Sequence, residues 1–256
     1  MASKTTDPPE LTEEEKILCT RLREMKFSGM AEALQEQFAD PNSNLKSSME
    51  RISEIIDAEW QLRYNKKLSR LLKAATLRYP AADFDDTLYD PERELDTTAI
   101  ERLATCNWID ERKNLLITGP TSGGKSYLSN AFCISAIRQF KTVRYIKAST
   151  LMGELERARL EAKHLDYLAK LAKLDLLAID DFGLMDLDLD KCRDLFEVID
   201  GRDGRTSTLV ISQFPVGKWF DMFADSTYAD ACLSRITDRR HTYRLEMNGK
   251  SMRASV

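Results

Sequence analysis

With 256 residues, 43% of them hydrophobic, the chain can bury a sizeable core and is expected to form one large domain and a smaller one. A formal net charge of −4 does not by itself point to nucleic acid, and five dispersed cysteines without a CxxC pair, beside only two histidines, support neither a zinc site nor a disulfide framework. No apolar stretch approaches the ~20 residues of a membrane span, and "MASKTTDPPELTEEEK" lacks the basic start and apolar middle of a signal peptide, so a reduced cytoplasmic setting without a membrane partner is expected.

Residues 12 to 40 carry apolar positions at Leu18, Leu22 and Met25, then Met30, Leu34 and Phe38, with Gly29 breaking the series into two short amphipathic helices that "DPNSN" ends. A longer helix is predicted from Leu45 through Met49, Ile52, Ile56 and Trp60 to Leu77, stopping before Pro80. Its second half, "QLRYNKKLSRLLKAATLRYP" (61 to 80), holds Arg63, Lys66, Lys67, Arg70, Lys73 and Arg78 and no acid. Recurrence at three and four residues puts most of these cations on one helical face, suited to tracking the phosphates of double-stranded DNA with little sequence preference. An intramolecular partner, the acidic segment 83 to 96, is the competing explanation. Residues 1 to 80 thus read as an all-helical domain for DNA binding and assembly, 81 to 98 as an acidic linker, and 99 to 256 as the catalytic domain.

From Asn114 the pattern changes to short apolar runs, "NLLIT", "TVRYI", "LDLLAID" and "TLVISQ", alternating with helical stretches, which reads as an α/β parallel sheet with covering helices. Directly after "NLLIT" comes "GPTSGGKSY", residues Gly119, Pro120, Thr121, Ser122, Gly123, Gly124, Lys125, Ser126 and Tyr127. Within it Gly119, Gly124, Lys125 and Ser126 fit GxxxxGK[ST], a loop that turns backbone N–H groups toward phosphates at a helix N-terminus. Lys125 would reach the β- and γ-phosphates of ATP, and the Ser126 hydroxyl would bind Mg²⁺. Ser122 stands where the loop needs an unusual backbone angle and is expected to be strained. The strand "LDLLAIDDFG" ends in Asp180, expected to hold the magnesium shell, and Asp181, expected to orient the attacking water. "TLVISQF" ends in Ser212 and Gln213, where a polar residue can sense the γ-phosphate. The helical stretch 149 to 173 offers Arg157, Arg159 and Lys163 as further DNA contacts, and the basic segment 230 to 253 offers Arg235 as a cation for a neighbouring subunit's γ-phosphate.

Taken together, "LREMKFSGMAEALQEQ", "RLLKAATLRYPAA", "NLLITGPT", "LLAIDDFGL", "ISQFPVGKWFD", "YADACLSRITDRR" and "NGKSMR" resemble the IstB-like ATPases, transposition helpers of insertion sequences within the AAA+ class near the helicase loader DnaC and the initiator DnaA. The resemblance implies a P-loop AAA+ core that binds ATP and Mg²⁺, oligomerises as a ring or filament around target DNA and recruits or activates a transposase. Carried over by position, it makes residues 119 to 126 the nucleotide loop, Asp180 and Asp181 the Walker B pair, Ser212 the first sensor, Arg235 the arginine finger and Arg253 a candidate second sensor. The chain departs from the common AAA+ pattern at Ser122, where the loop often has glycine, and at Asp181, where glutamate is commoner; the shorter acid implies slow turnover. The readings to be separated are thus a transposition helper, a DnaC-like helicase loader, a small-molecule kinase using the same loop, and a scaffold that binds nucleotide without hydrolysing it.

Overall fold

Thr12 starts the first helix by a reciprocal cap: its hydroxyl accepts the Glu15 N–H at 3.3 Å while the Glu15 carboxylate accepts the Thr12 N–H at 2.8 Å. The structure is a computed structural model that describes residues 11–86 and 95–247. Chain contacts divide it into two compact units, Met1–Ser69 and Arg70–Val256.

The first unit is helical. Helices α1 (Glu13–Glu24) and α2 (Ser28–Ala39) are followed by α3 (Ser48–Ala75), whose last turns belong to the second unit. The break between α1 and α2 lies at Lys26, whose φ is +63°, and not at Gly29 as the apolar spacing predicted. Gly29 sits inside α2, where a Cβ would lie 2.8 Å from the Ala58 carbonyl oxygen and from the Glu59 Cα, so its role is close helix approach. Buried Glu59 accepts the Gly29 N–H at 2.7 Å and the Met30 N–H at 3.3 Å, satisfying amides at the start of α2 from a neighbouring helix. Burial opposes the charge, but the Arg63 guanidinium and these two amides hold the Glu59 carboxyl below its usual value. The predicted apolar series is exposed: Leu45, which lies before α3 and not on it, is 84% accessible, and Met49 and Trp60 on α3 are 73% and 62% accessible.

In the second unit α4 (Thr97–Ala104) and the short α5 (Asn107–Asp110) precede β1 (Asn114–Thr118), which runs into α6 (Lys125–Arg138). There follow β2 (Val143–Lys147), α7 (Ala148–Leu160), α8 (His164–Ala172), β3 (Leu176–Phe182), α9 (Leu189–Asp200), β4 (Ser207–Ser212), α10 (Ser226–Thr237) and β5 (Thr242–Glu246). The five strands form one parallel sheet in the order β2-β3-β4-β1-β5. Every residue of β1 and β4 is buried, which is why both read as unbroken apolar runs without alternation. β5 was not anticipated: it lies in the segment read as basic, and its Arg244 side chain donates to the Thr237 carbonyl at 2.9 Å. Among the described helices none is long and apolar enough to cross a membrane.

Residues 70–86, read from the sequence as the end of the helical domain and the start of the linker, lie in the second unit and pack along α6. Ala82 is buried, Phe84 meets Phe132 edge-on at 5.0 Å, and Asp83 pairs with Arg138 at 2.8 Å. Asp83 therefore has a partner on α6. The rest of the predicted linker falls partly on residues 87–94, outside the described residues, as do Lys250 and Arg253.

Arg202, fully buried after α9, donates to the Leu171 and Ser207 carbonyls and, at 3.1 Å, to the Thr208 hydroxyl, so one guanidinium ties the end of α8 to the start of β4. Burial lowers its pKa to about 10. Arg202→Ala would strand two carbonyls in a cavity; urea unfolding should show a loss of roughly 3 kcal/mol or more.

Candidate functional site

β1 ends at Thr118, and the chain must then turn sharply past the end of β5 before α6 begins. Gly119 makes this possible: its φ is +149°, and a Cβ there would sit 2.2 Å from the Met247 carbonyl oxygen. The loop is pinned by a 2.8 Å hydrogen bond from the Met247 N–H to the Thr118 carbonyl. Gly124, with φ +84°, is the N-cap of α6, so the loop delivers the amide-rich end of a 14-residue helix to the carboxyl edge of the sheet. Ser122 adopts φ +65°, the left-handed conformation expected of it, and is strained there.

The loop borders a cleft of about 250 Å³. The cleft is lined by Thr121, Ser122 and residues 124–127 of the loop, by Asp180 and Asp181 near the end of β3, and by Ile211, Ser212 and Gln213 at the end of β4. Lys125 arches over the loop and donates to the Pro120 carbonyl at 2.6 Å. Burial lowers the proton affinity of this ammonium, while Asp180 and Asp181 oppose the shift.

The acids reach the cleft through a bulge. Ile179 pairs with Val210 and Phe182 with Ser212, so one extra residue is inserted on β3 and Asp181 takes φ +56°. Asp180, only 1% exposed, accepts the Ser126 hydroxyl at 2.9 Å on Oδ2 and the Asp181 N–H at 2.8 Å on Oδ1. The Tyr145 hydroxyl donates to the same Oδ2, a partner that the sequence reading missed. Burial and the neighbouring Asp180 carboxylate push the Tyr145 hydroxyl far up, so it keeps its proton and acts as a donor. Asp181 turns the other way and pairs with Lys147 at 2.7 Å.

The remaining predicted residues are sorted by what they touch. Ser212 Oγ donates to the Phe182 carbonyl at 2.7 Å and accepts the Phe214 N–H at 3.1 Å, so its hydroxyl is committed to main chain, whereas Gln213 accepts from Thr121 across the cleft. Of the two sensor candidates, Gln213 is thus the one joined to the loop. The Tyr127 hydroxyl accepts the Asp83 N–H at 3.3 Å. Arg78, predicted with the DNA-facing cations, instead lines the cleft with Tyr79, its guanidinium 5.3 Å from the centre of the Tyr79 ring. Arg63, also predicted to face DNA, pairs with Glu59 at 2.6 Å and lies 5.1 Å over the Phe27 ring. Lys66, Lys67, Arg70 and Lys73 are exposed on α3. Arg235 is outside the cleft of its own chain: it pairs with Asp200 at 2.8 Å and lies 5.1 Å over Phe196. Arg159 pairs with Asp194, and Lys163 with Glu161 at 2.9 Å.

A family profile described as "IstB-like ATP binding protein" matches residues 20–256. The chain belongs to this family. An insertion sequence ATP-binding protein of Sinorhizobium fredii is 38% identical over 232 residues, covering 91% of this chain and 92% of that protein. The ATP-binding protein of insertion sequence IS1162 from Pseudomonas fluorescens is 39% identical over 196 residues, covering 77% and 85%. Among solved structures, the DnaC helicase loader superposes with a TM-score of 0.55 at 15% identity, covering 66% of this chain and 98% of that one. DnaA of Aquifex aeolicus bound to AMPPCP gives 0.54 at 15%, covering 66% and 50%. The core of this IstB-like chain is therefore a P-loop AAA+ fold preceded by a helical region, as the motifs implied.

The left-handed serine supplies a test of the loop. Ser122→Gly should raise the urea midpoint by an amount corresponding to about 1 kcal/mol, because glycine removes the Cβ–carbonyl conflict.

Proposed function

We propose that the protein is an ATP-dependent, DNA-binding transposition helper that oligomerises on target DNA and recruits or activates a transposase, with ATP hydrolysis resetting the assembly. The observation that carries this reading is the Ser126–Asp180 contact at 2.9 Å beneath a phosphate-binding loop, in a chain of the insertion-sequence ATP-binding family. Two hard oxygen donors at that spacing suit Mg²⁺, which takes one or two protein oxygens and completes its shell with phosphate and water. Bound there, the ion would neutralise charge on the phosphate oxygens.

Each residue then has a task. The amides at the start of α6 and the Lys125 ammonium bind the triphosphate, Ser126 and Asp180 hold the ion, and Asp181 orients the attacking water. Lys147 occupies Asp181 at 2.7 Å, so hydrolysis requires that ion pair to open, which supports slow turnover dependent on assembly. Arg235 would serve a neighbouring subunit only after leaving Asp200. Lys66, Lys67, Arg70 and Lys73 supply phosphate contacts to duplex DNA, without base readout.

Lys125→Ala should abolish nucleotide binding and ATP-dependent assembly on a DNA duplex, seen by filter binding and electron microscopy; assembly unchanged in this variant would defeat the scheme. Replacing Lys66, Arg70 and Lys73 by alanine should weaken binding about equally for all sequences and reduce the slope of log affinity against log salt by roughly one per cation. Phosphate release that is stimulated by DNA separates this ATPase from a kinase or an inert scaffold, and capture of a transposase in preference to a replicative helicase separates it from a helicase loader.

A further inference from the structure

β2 and β3 are parallel neighbours, with Tyr145 opposite Ala178 and Lys147 opposite Asp180. Because side chains alternate along a strand, these four share one face of the sheet, and Tyr145 lies diagonal to Asp180, within reach of a long side chain. Its ring is buried, and its main-chain carbonyl accepts the Thr76 hydroxyl at 2.8 Å where the chain leaves α3. The Asp180 carboxylate is thereby gripped from three directions: Ser126 on α6, the Asp181 amide on its own strand, and Tyr145 on β2. Asn130, fully buried, supports the Ser126 side of this network by donating to the Ser126 carbonyl at 2.6 Å.

We infer that Tyr145 is a positioning residue of the magnesium–nucleotide site: its hydroxyl holds the Asp180 carboxylate in the orientation that meets Ser126. The inference rests on reading the cleft as such a site. Of the three donors, Tyr145 alone belongs to neither the nucleotide loop nor the acidic pair, so it can be altered while every residue proposed to contact ATP is kept; its hydroxyl also neighbours the Ser126 and Asn130 side chains. Removal of its oxygen leaves Oδ2 with Ser126 as its one remaining donor among those described. A buried carboxylate short of a donor reorients or seeks another, and a metal site that depends on its orientation weakens.

The test uses the full-length protein and Tyr145→Phe, which keeps the ring and deletes one oxygen. Two affinities are measured: that for a fluorescent ATP analogue in EDTA, and that of the nucleotide complex for Mn²⁺, read by electron paramagnetic resonance. The Mn²⁺ affinity should fall roughly 10- to 100-fold while the metal-free nucleotide affinity stays within about twofold of the unaltered protein. An unchanged Mn²⁺ affinity, or an equal loss of both affinities as a merely structural role would produce, overturns the assignment and leaves the cleft as a nucleotide site. Failure of the unaltered protein to bind the nucleotide analogue overturns the reading of the cleft and the inference with it.

Discussion

The hydrogen bond from Ser126 to Asp180 joins the glycine-rich loop to the carboxyl end of β3, and the rest of the site is arranged around it. A carboxylate buried in low dielectric is costly unless its oxygens are met by donors. Here the donors come from α6, β2 and the bulge of β3, so satisfying one acid fixes the relative placement of three elements. The sheet order makes this possible, because β3 lies between β2 and β4 and the bulge against β4 turns consecutive acids to different partners. Asp180 is committed to the loop and Asp181 to Lys147.

Of the eight non-glycine residues described with left-handed backbones, two lie where chemistry is proposed. Ser122 and Asp181 both hold left-handed backbone conformations, and both border the cleft. Such conformations persist only where the surroundings over-determine them. Around Ser122 that constraint comes from Gly119 wedged against the Met247 carbonyl and from Lys125 bonded to Pro120. Around Asp181 it comes from the bulge and the ion pair with Lys147.

Charge is distributed by similar sorting. Cations that look alike in the sequence have different partners in the fold: Arg63 secures a helix pair through Glu59, Arg78 borders the cleft, Arg235 is held by α9, and Arg202 is buried as a main-chain clamp. The cations exposed on α3, Lys66, Lys67, Arg70 and Lys73, are those that a polyanion can reach from solvent without uncovering buried side chains.

What was legible in the sequence was local. The glycine spacing of the loop, the lysine and serine that open α6, and the apolar runs of β1, β3 and β4 follow from turn chemistry and from burial on both faces, which neighbours in sequence express; the helices α1 to α3 were also read, although several of their periodic apolar positions are exposed. The helix break was misplaced at Gly29 because a glycine needed for close packing looks the same in sequence as one needed for a turn. β5 was missed because its Arg244 and Glu246 give it the composition of a solvated segment. The partners of Asp180, Arg78 and Arg235 were decided by the tertiary structure alone. Tyr145 meets Asp180 because two strands separated by a pair of helices align in one register, and Arg78 leaves the cationic stripe because the chain after α3 folds along α6; neither contact has a signature within any one stretch of sequence.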